Sequence, residues 1–206
     1  DIIEGIYLLI KKPSDKSIPY NIFNIGSNSP NHLVVFLKII EKLLNKKAKI
    51  IDIGGGDIKL VDYLLEEGYN NITVLDISEK AIAKAKKRLG EKASKVNWIV
   101  SDITEFEPDT SFDVWHDRAT FHFLTTDEQI KKYIKIATEF VSGYLIIGTF
   151  SQNGPKKCSG LEIKQYNEEE LTSELKKGFD KIQCVTEDHL TPSNTTQNFL
   201  FCSFKR

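Results

Sequence analysis

From Lys49 onward the sequence predicts an α/β fold: a mostly parallel, seven-stranded sheet with helices on both faces. Three observations predict it. Short apolar runs alternate with amphipathic segments of helical period. Three consecutive glycines, Gly54-Gly55-Gly56, lie between the first apolar run and the first helical segment, as in a strand–turn–helix unit. The last two apolar runs, Phe179 to Val185 and Asn198 to Phe204, are connected by Glu187-Asp188-His189 and a Thr/Asn-rich turn, Thr191 to Gln197.

The elements follow in order. Before Lys49, Ile2, Ile3, Ile6, Leu9 and Ile10 form a helical stripe that Pro13 and the polar run Ser14 to Ser17 stop. Ile18 to Ile25 reads as a short strand. Ser29-Pro30 starts a second helix, whose apolar face runs from Leu33 to Leu44. Ile50-Ile51-Asp52-Ile53 is then the first strand of the main domain. Ile58, Leu60, Val61, Leu64 and Leu65 make a helix closed by Gly68, and Ile72 to Leu75 is a strand ending on Asp76. Ser78 caps a helix to about Leu89, with a lysine-rich outer face that reads as solvated. Val96 to Val100 is the third strand, and Phe112 to Trp115 the fourth. Thr125 and Glu128 have the spacing of a capping box for a helix to about Val141, ended by Gly143. Tyr144 to Phe150 is the fifth strand, Ser151 to Gly160 a polar loop, and Asn167 caps the last helix, through Leu171 and Leu175 to Gly178.

Composition narrows the functional classes. The chain has 206 residues, enough for one α/β domain with a surplus. Its 28 basic and 29 acidic residues are balanced and form no long basic run, so no nucleic-acid partner is expected. No apolar run approaches the roughly 20 residues that cross a membrane, and no membrane association is expected. Cys158, Cys184 and Cys202 are odd in number and lack C-x-x-C spacing, which favours a reducing cytoplasm over a disulfide framework or a zinc site. The chain has no Met at all, so the sequence is expected to begin inside a longer reading frame.

The chemistry concentrates at strand ends. Glycines let a backbone approach a ligand closely. Asp76, 22 positions after Gly54, stands at the tip of the next strand, where a carboxylate accepts hydrogen bonds from ribose hydroxyls. The pattern points to a nucleoside-containing cofactor. A nicotinamide dinucleotide is disfavoured, because position 59, where its fingerprint has a glycine, is Lys. After the fourth strand comes His116-Asp117-Arg118-Ala119-Thr120-Phe121-His122-Phe123. It combines a candidate base (His116, Asp117), a cation able to hold a carboxylate or phosphate (Arg118) and aromatic walls. His116, Asp117 and His122 lack a known metal-ligand spacing, and no metal is expected.

Asp52 followed by Gly54 and Gly56, with Asp76 beyond, resembles motif I and the acidic motif of class I S-adenosylmethionine-dependent methyltransferases. Ile58 stands where that family's last glycine falls. The resemblance covers residues 49–206. It implies a Rossmann-like sheet ending in a C-terminal antiparallel hairpin, and S-adenosylmethionine as cofactor. The cofactor would be held by Asp52, Gly54, Gly55, Gly56, Asp76, Ile77, Asp102 and Ile103, with Asp76 on the ribose, Asp102 on the adenine amino group and Ile77 on the adenine face. His116, Asp117 and Arg118 would be the catalytic group. The implied acceptor is an O, N or S nucleophile of a small molecule or a protein side chain. An impaired cofactor-binding module and, less favoured, an NAD-dependent oxidoreductase are the alternatives. Residues 1–48 have a different resemblance. DIIEGIYLLIKKP and YNIFNIGSNSP look like a C-terminal fragment of UDP-glucuronate-type nucleotide-sugar epimerases, without the G-x-x-G-x-x-G loop or Tyr-x-x-x-Lys pair of that chemistry. The chain is thus expected to be a fusion of an epimerase-like segment, 1–48, with a methyltransferase-like domain, 49–206.

Overall fold

A computed structural model describes residues 46–190 and 196–206. The helix, strand and helix expected before residue 45, and with them the epimerase-like segment, lie outside the described residues, as does most of the Thr/Asn-rich turn.

Nine strands are described: β1 (Lys49–Ile53), β2 (Asn71–Asp76), β3 (Val96–Val100), β4 (Phe112–Arg118), β5 (Val141–Phe150), β6 (Lys157–Cys158), β7 (Leu161–Glu162), β8 (Asp180–Leu190) and β9 (Thr196–Lys205). Four α-helices join them: α1 (Leu60–Glu66), α2 (Glu79–Leu89), α3 (Asp127–Phe140) and α4 (Glu168–Leu175). Seven strands form one sheet in the order β3-β2-β1-β4-β5-β9-β8. Pairing is parallel from β3 to β5, then antiparallel from β5 to β9 and from β9 to β8. The expected mostly parallel, Rossmann-like sheet with a C-terminal hairpin is what the chain forms.

Strand alternation explains the two layers. Ile50 joins Val114, Ile72 and Val74 against Leu60, Val61 and Leu64 of α1. Ile51 and Ile53 point the other way, into a core with Trp115, Ile130, Tyr133 and Ala137 of α3, and Leu171 and Leu175 of α4. Both faces of β1 are therefore buried, which is why its sequence is an almost continuous apolar run.

The structure corrects four expectations. First, β4 runs on to Arg118, because it pairs with β1 through Ile53↔Asp117 and with β5 through Arg118↔Gly148. Both neighbours hold His116 and Asp117 inside the sheet, and β5 alone pairs with Arg118 at the strand end, so none of the three stands in a loop beyond it. Second, the helix cap is one residue later than expected. The Thr126 hydroxyl accepts from Gln129 N, and Gln129 Oε1 accepts from Thr126 N in turn. Third, Gly143 does not end a helix. It lies inside β5, where an added Cβ would meet Asp113 O at 2.5 Å, beside a register shift between Phe112 and Val114.

Fourth, Cys184 and Cys202 are joined as a disulfide, contrary to the expectation drawn from their spacing. They are direct register partners on β8 and β9, with Cα atoms 4.1 Å apart. Pairing across a sheet, not distance along the chain, brings them together, and the sequence argument for a reducing compartment falls with it. A crosslink closing a separation of 18 residues restricts the unfolded chain. Its loss is expected to cost about 3 kcal/mol. Urea unfolding with and without a reductant checks this, and superimposable curves would contradict it.

Candidate functional site

The glycine turn is fixed by what presses against it. Gly54 has φ 71°, a left-handed conformation in which its N–H donates to Leu75 O at 2.7 Å. A Cβ there would strike the Thr120 hydroxyl, and one on Gly55 would strike the Asp52 carboxylate. A Cβ on Gly56 would lie 2.8 Å from both Asp76 Oδ2 and Ala81 Cβ. The bare backbone is thus packed between the tips of β1 and β2 and the start of α2. Asp76 clamps it: Oδ2 accepts from Gly56 N at 3.0 Å and Oδ1 accepts from Ser78 N at 2.8 Å. Each carboxylate oxygen keeps a further lone pair.

Beside Asp76 two apolar side chains face solvent. Ile77 is 71% exposed, and Val100, the register partner of Asp76 on β3, is 52% exposed. Asp102 follows directly. Its Oδ1 accepts from Thr104 N at 2.8 Å and from the Thr104 hydroxyl at 2.9 Å, capping a short turn, and the residue is exposed. Ile103 points into the core instead. The structure therefore brings Gly54, Gly55, Gly56, Asp76, Ile77 and Asp102 to one edge of the sheet, the carboxyl end of its strands. Asp52 lies beneath that edge, fully buried.

The end of β4 is arranged differently from a solvent-facing catalytic group. His116 is 4% exposed, and its Nδ1 lies 2.7 Å from Asp52 Oδ1, its register partner on β1. Asp117 is fully buried on the opposite face. Its Oδ1 accepts from Thr120 N at 3.0 Å and Phe121 N at 3.1 Å. Burial raises its carboxyl to about 6, against the pull of the Phe121 N–H, the neighbouring Tyr133 hydroxyl, the Thr120 N–H and His116. Arg118, half-buried, emerges at the strand end.

Two residues escaped the sequence reading. Thr120 donates its hydroxyl to Ile53 O at 3.3 Å and covers Gly54. It reaches that place because Ala119 turns the chain with φ 66°, an unusual value for a residue with a Cβ. Tyr133 accepts from Trp115 Nε1 at 3.0 Å next to Asp117. Neither carries a local motif. His122 was singled out in the sequence, and it is fully buried. It stacks on Phe150 with ring centroids 4.6 Å apart, and neither ring nitrogen has a hydrogen-bond partner among the described residues. Burial pushes its imidazole down to about 4.

The site fits the adenosyl part of S-adenosylmethionine. It offers a closely packed glycine turn at the carboxyl edge of the sheet, a carboxylate with spare lone pairs at the strand tip, and exposed apolar surface from Ile77 and Val100 beside them. Among the described residues, no group of three His, Cys, Asp or Glu side chains is placed to hold a metal ion. No helix among them is long and apolar enough to cross a membrane.

Comparison with known proteins gives the same direction. Residues 50–141 match the family model described as a methyltransferase domain. The chain is 33% identical over 93 residues to the eEF1A lysine and N-terminal methyltransferase of Mus musculus, covering 45% of this chain and 13% of that protein. It is 30% identical over 146 residues to the Malonyl-(acyl-carrier protein) O-methyltransferase of Anoxybacillus flavithermus, covering 69% of this chain and 52% of that protein. The chain thus spans about half, or much less, of the length of these relatives. Among solved structures it is similar to the Burkholderia thailandensis 1,6-didemethyltoxoflavin-N1-methyltransferase, with a TM-score of 0.63 and 20% identity. That likeness covers 84% of this chain and 77% of the other, which holds 1,6-didemethyltoxoflavin and S-adenosylhomocysteine; it shows a shared fold. Together these findings support a methyltransferase.

Proposed function

We propose that the chain is a class I S-adenosylmethionine-dependent methyltransferase that acts on an O, N or S nucleophile of a small molecule or a protein side chain. The observation that carries this reading is the glycine turn clamped by Asp76 at the carboxyl edge of the sheet. Bare backbone and a ribose-competent carboxylate stand there side by side, next to exposed Ile77.

Bound S-adenosylmethionine supplies a methyl group already activated on a sulfonium, so the protein's tasks are to hold, align and exclude water. Asp76 receives the ribose hydroxyls, and Gly54 to Gly56 admit the methionine part. Asp102 receives the adenine amino group, and Ile77 covers the adenine face. Asp52 and Ile103 act from below, shaping the turn and the core beneath the base. His116 and Asp117 are proposed as positioning residues, since their inward hydrogen bonds hold Asp52 against Gly55 and the Thr120 turn against Gly54. This revises their expected part as acid–base groups: two strand neighbours bury both side chains, and Asp117 is spent on backbone N–H groups.

The test is calorimetric titration with S-adenosylmethionine, S-adenosylhomocysteine and NAD in parallel. Micromolar binding of the first two and none of NAD is expected; NAD binding alone would overturn the reading. Binding with no turnover on any acceptor would identify a cofactor-binding module.

A further inference from the structure

The guanidinium of Arg118 has a feature that the cofactor reading does not use. Arg118 ends β4 opposite Gly148 of β5. Gly148 has no side chain, and Arg118 crosses it toward β9: a Cβ at Gly148 would meet Arg118 Cγ at 3.5 Å and the Phe201 ring at 2.6 Å. The guanidinium carbon then lies 5.5 Å from the centre of the Phe199 ring on β9. Phe199 is itself wedged against Phe150, with ring centroids 4.6 Å apart. The cation is thus held on a rigid aromatic base. It is half-buried, yet among the described residues it makes no hydrogen bond and no ion pair. A planar fork of five N–H donors, partly withdrawn from water and held over an aromatic ring, is suited to receive an anion.

We propose that Arg118 receives the carboxylate of the methyl acceptor, so that the substrate is a monocarboxylate. This rests on the methyltransferase reading and names the substrate class for it. Two arguments select the ligand. Arg118 leans toward β5 and β9, whereas the glycine turn and Asp76 lie on the other side of β4, at β1 and β2. The anion it serves is therefore on the acceptor's side, not the cofactor's own carboxylate. Asp52 and Glu187 also place negative charge around the guanidinium, while burial acts against its charge and His189 stands nearby on β8. Two acids already in range penalise a dianionic phosphate more than a singly charged carboxylate. The planar fork accepts either anion in two parallel hydrogen bonds, so the surrounding charge is what favours the carboxylate.

The experiment titrates the full chain, saturated with S-adenosylhomocysteine, with benzoate, benzamide and phenyl phosphate by ligand-observed NMR. Benzoate is expected to bind at least about 10-fold tighter than either of the others. Arg118→Ala is expected to remove that preference, and Arg118→Lys to retain part of it, since a point charge attracts without the fork. Affinity for S-adenosylhomocysteine should stay within about threefold in both variants, and their melting temperatures report whether they fold. Equal binding of benzoate and benzamide, or no binding of benzoate, would overturn the proposal. So would a tenfold loss of S-adenosylhomocysteine affinity in Arg118→Ala, which would assign the arginine to the cofactor. The same titration without S-adenosylhomocysteine separates the two readings. Failure to bind that compound refutes the methyltransferase, while benzoate selectivity still decides Arg118.

Discussion

Asp76→Ala is expected to lower affinity for S-adenosylmethionine and S-adenosylhomocysteine by about 100-fold or more. A hydrogen bond to a charged group contributes about 1.5–3 kcal/mol, and two ribose hydroxyls on one carboxylate give about 3–6 kcal/mol. The same carboxylate orders the turn by accepting from Gly56 N and Ser78 N, so its removal also loosens the backbone that faces the cofactor. Asp76→Asn keeps one acceptor oxygen and is expected to lose less, about tenfold. Calorimetry measures both. A control separates ribose recognition from disorder of the turn: wild type should favour adenosine over 2′,3′-dideoxyadenosine, and Asp76→Ala should not. If Asp76→Ala binds S-adenosylhomocysteine within threefold of wild type, the ribose assignment is wrong.

The second large effect is a pair of opposing pH dependences. Asp117 has its carboxyl raised from 3.8 to about 6 by burial. The folded chain therefore holds a proton there that the unfolded chain releases. The stability this provides is full below about pH 4 and is lost as pH rises through 6. A shift of this size corresponds to roughly 3 kcal/mol. His122 is the reverse case, lowered from 6.5 to about 4 by burial. Its neutral ring favours folding above pH 6.5, and that stability is lost as pH falls through 4, again by roughly 3 kcal/mol. Between pH 4 and 6.5 the two nearly offset each other in wild type. Asp117→Asn keeps an acceptor for Thr120 N and Phe121 N but removes the proton, so its stability should fall on acidification. His122→Phe keeps the stack on Phe150, and its stability should rise on acidification. Urea unfolding across pH 4.5–7.5 shows these slopes directly; parallel curves for wild type and both variants would sink the assignment.

Much of this architecture was legible because it is local. Apolar runs, the three glycines, the Ser78 and Asn167 caps and the acid at Asp76 each express their role within a few residues of themselves. The strand-end cofactor edge follows from them once a parallel sheet is assumed. The full length of β4 was not legible, for a nonlocal reason. His116-Asp117-Arg118 has the polarity of a loop, but its hydrogen bonds are made to β1 and β5, which lie more than 20 residues away on either side. Polar side chains in a central strand are tolerated only where partners meet them, and Asp52 and the N–H groups of Thr120 and Phe121 are those partners.

The sequence by itself determined the α/β class, the order of elements from Lys49 on, and the grouping of Gly54 to Gly56 with Asp76, since period and turn chemistry act over short range. Only the tertiary structure decided which polar groups face inward, that Cys184 meets Cys202, that Thr120 closes over Gly54, and that Arg118 rests over the Phe199 ring. The inward polar groups, the Cys184–Cys202 pair and the Arg118–Phe199 contact depend on strand register, and a shift of one residue would send those side chains to the opposite face of the sheet, while Thr120 lies in the turn that follows β4.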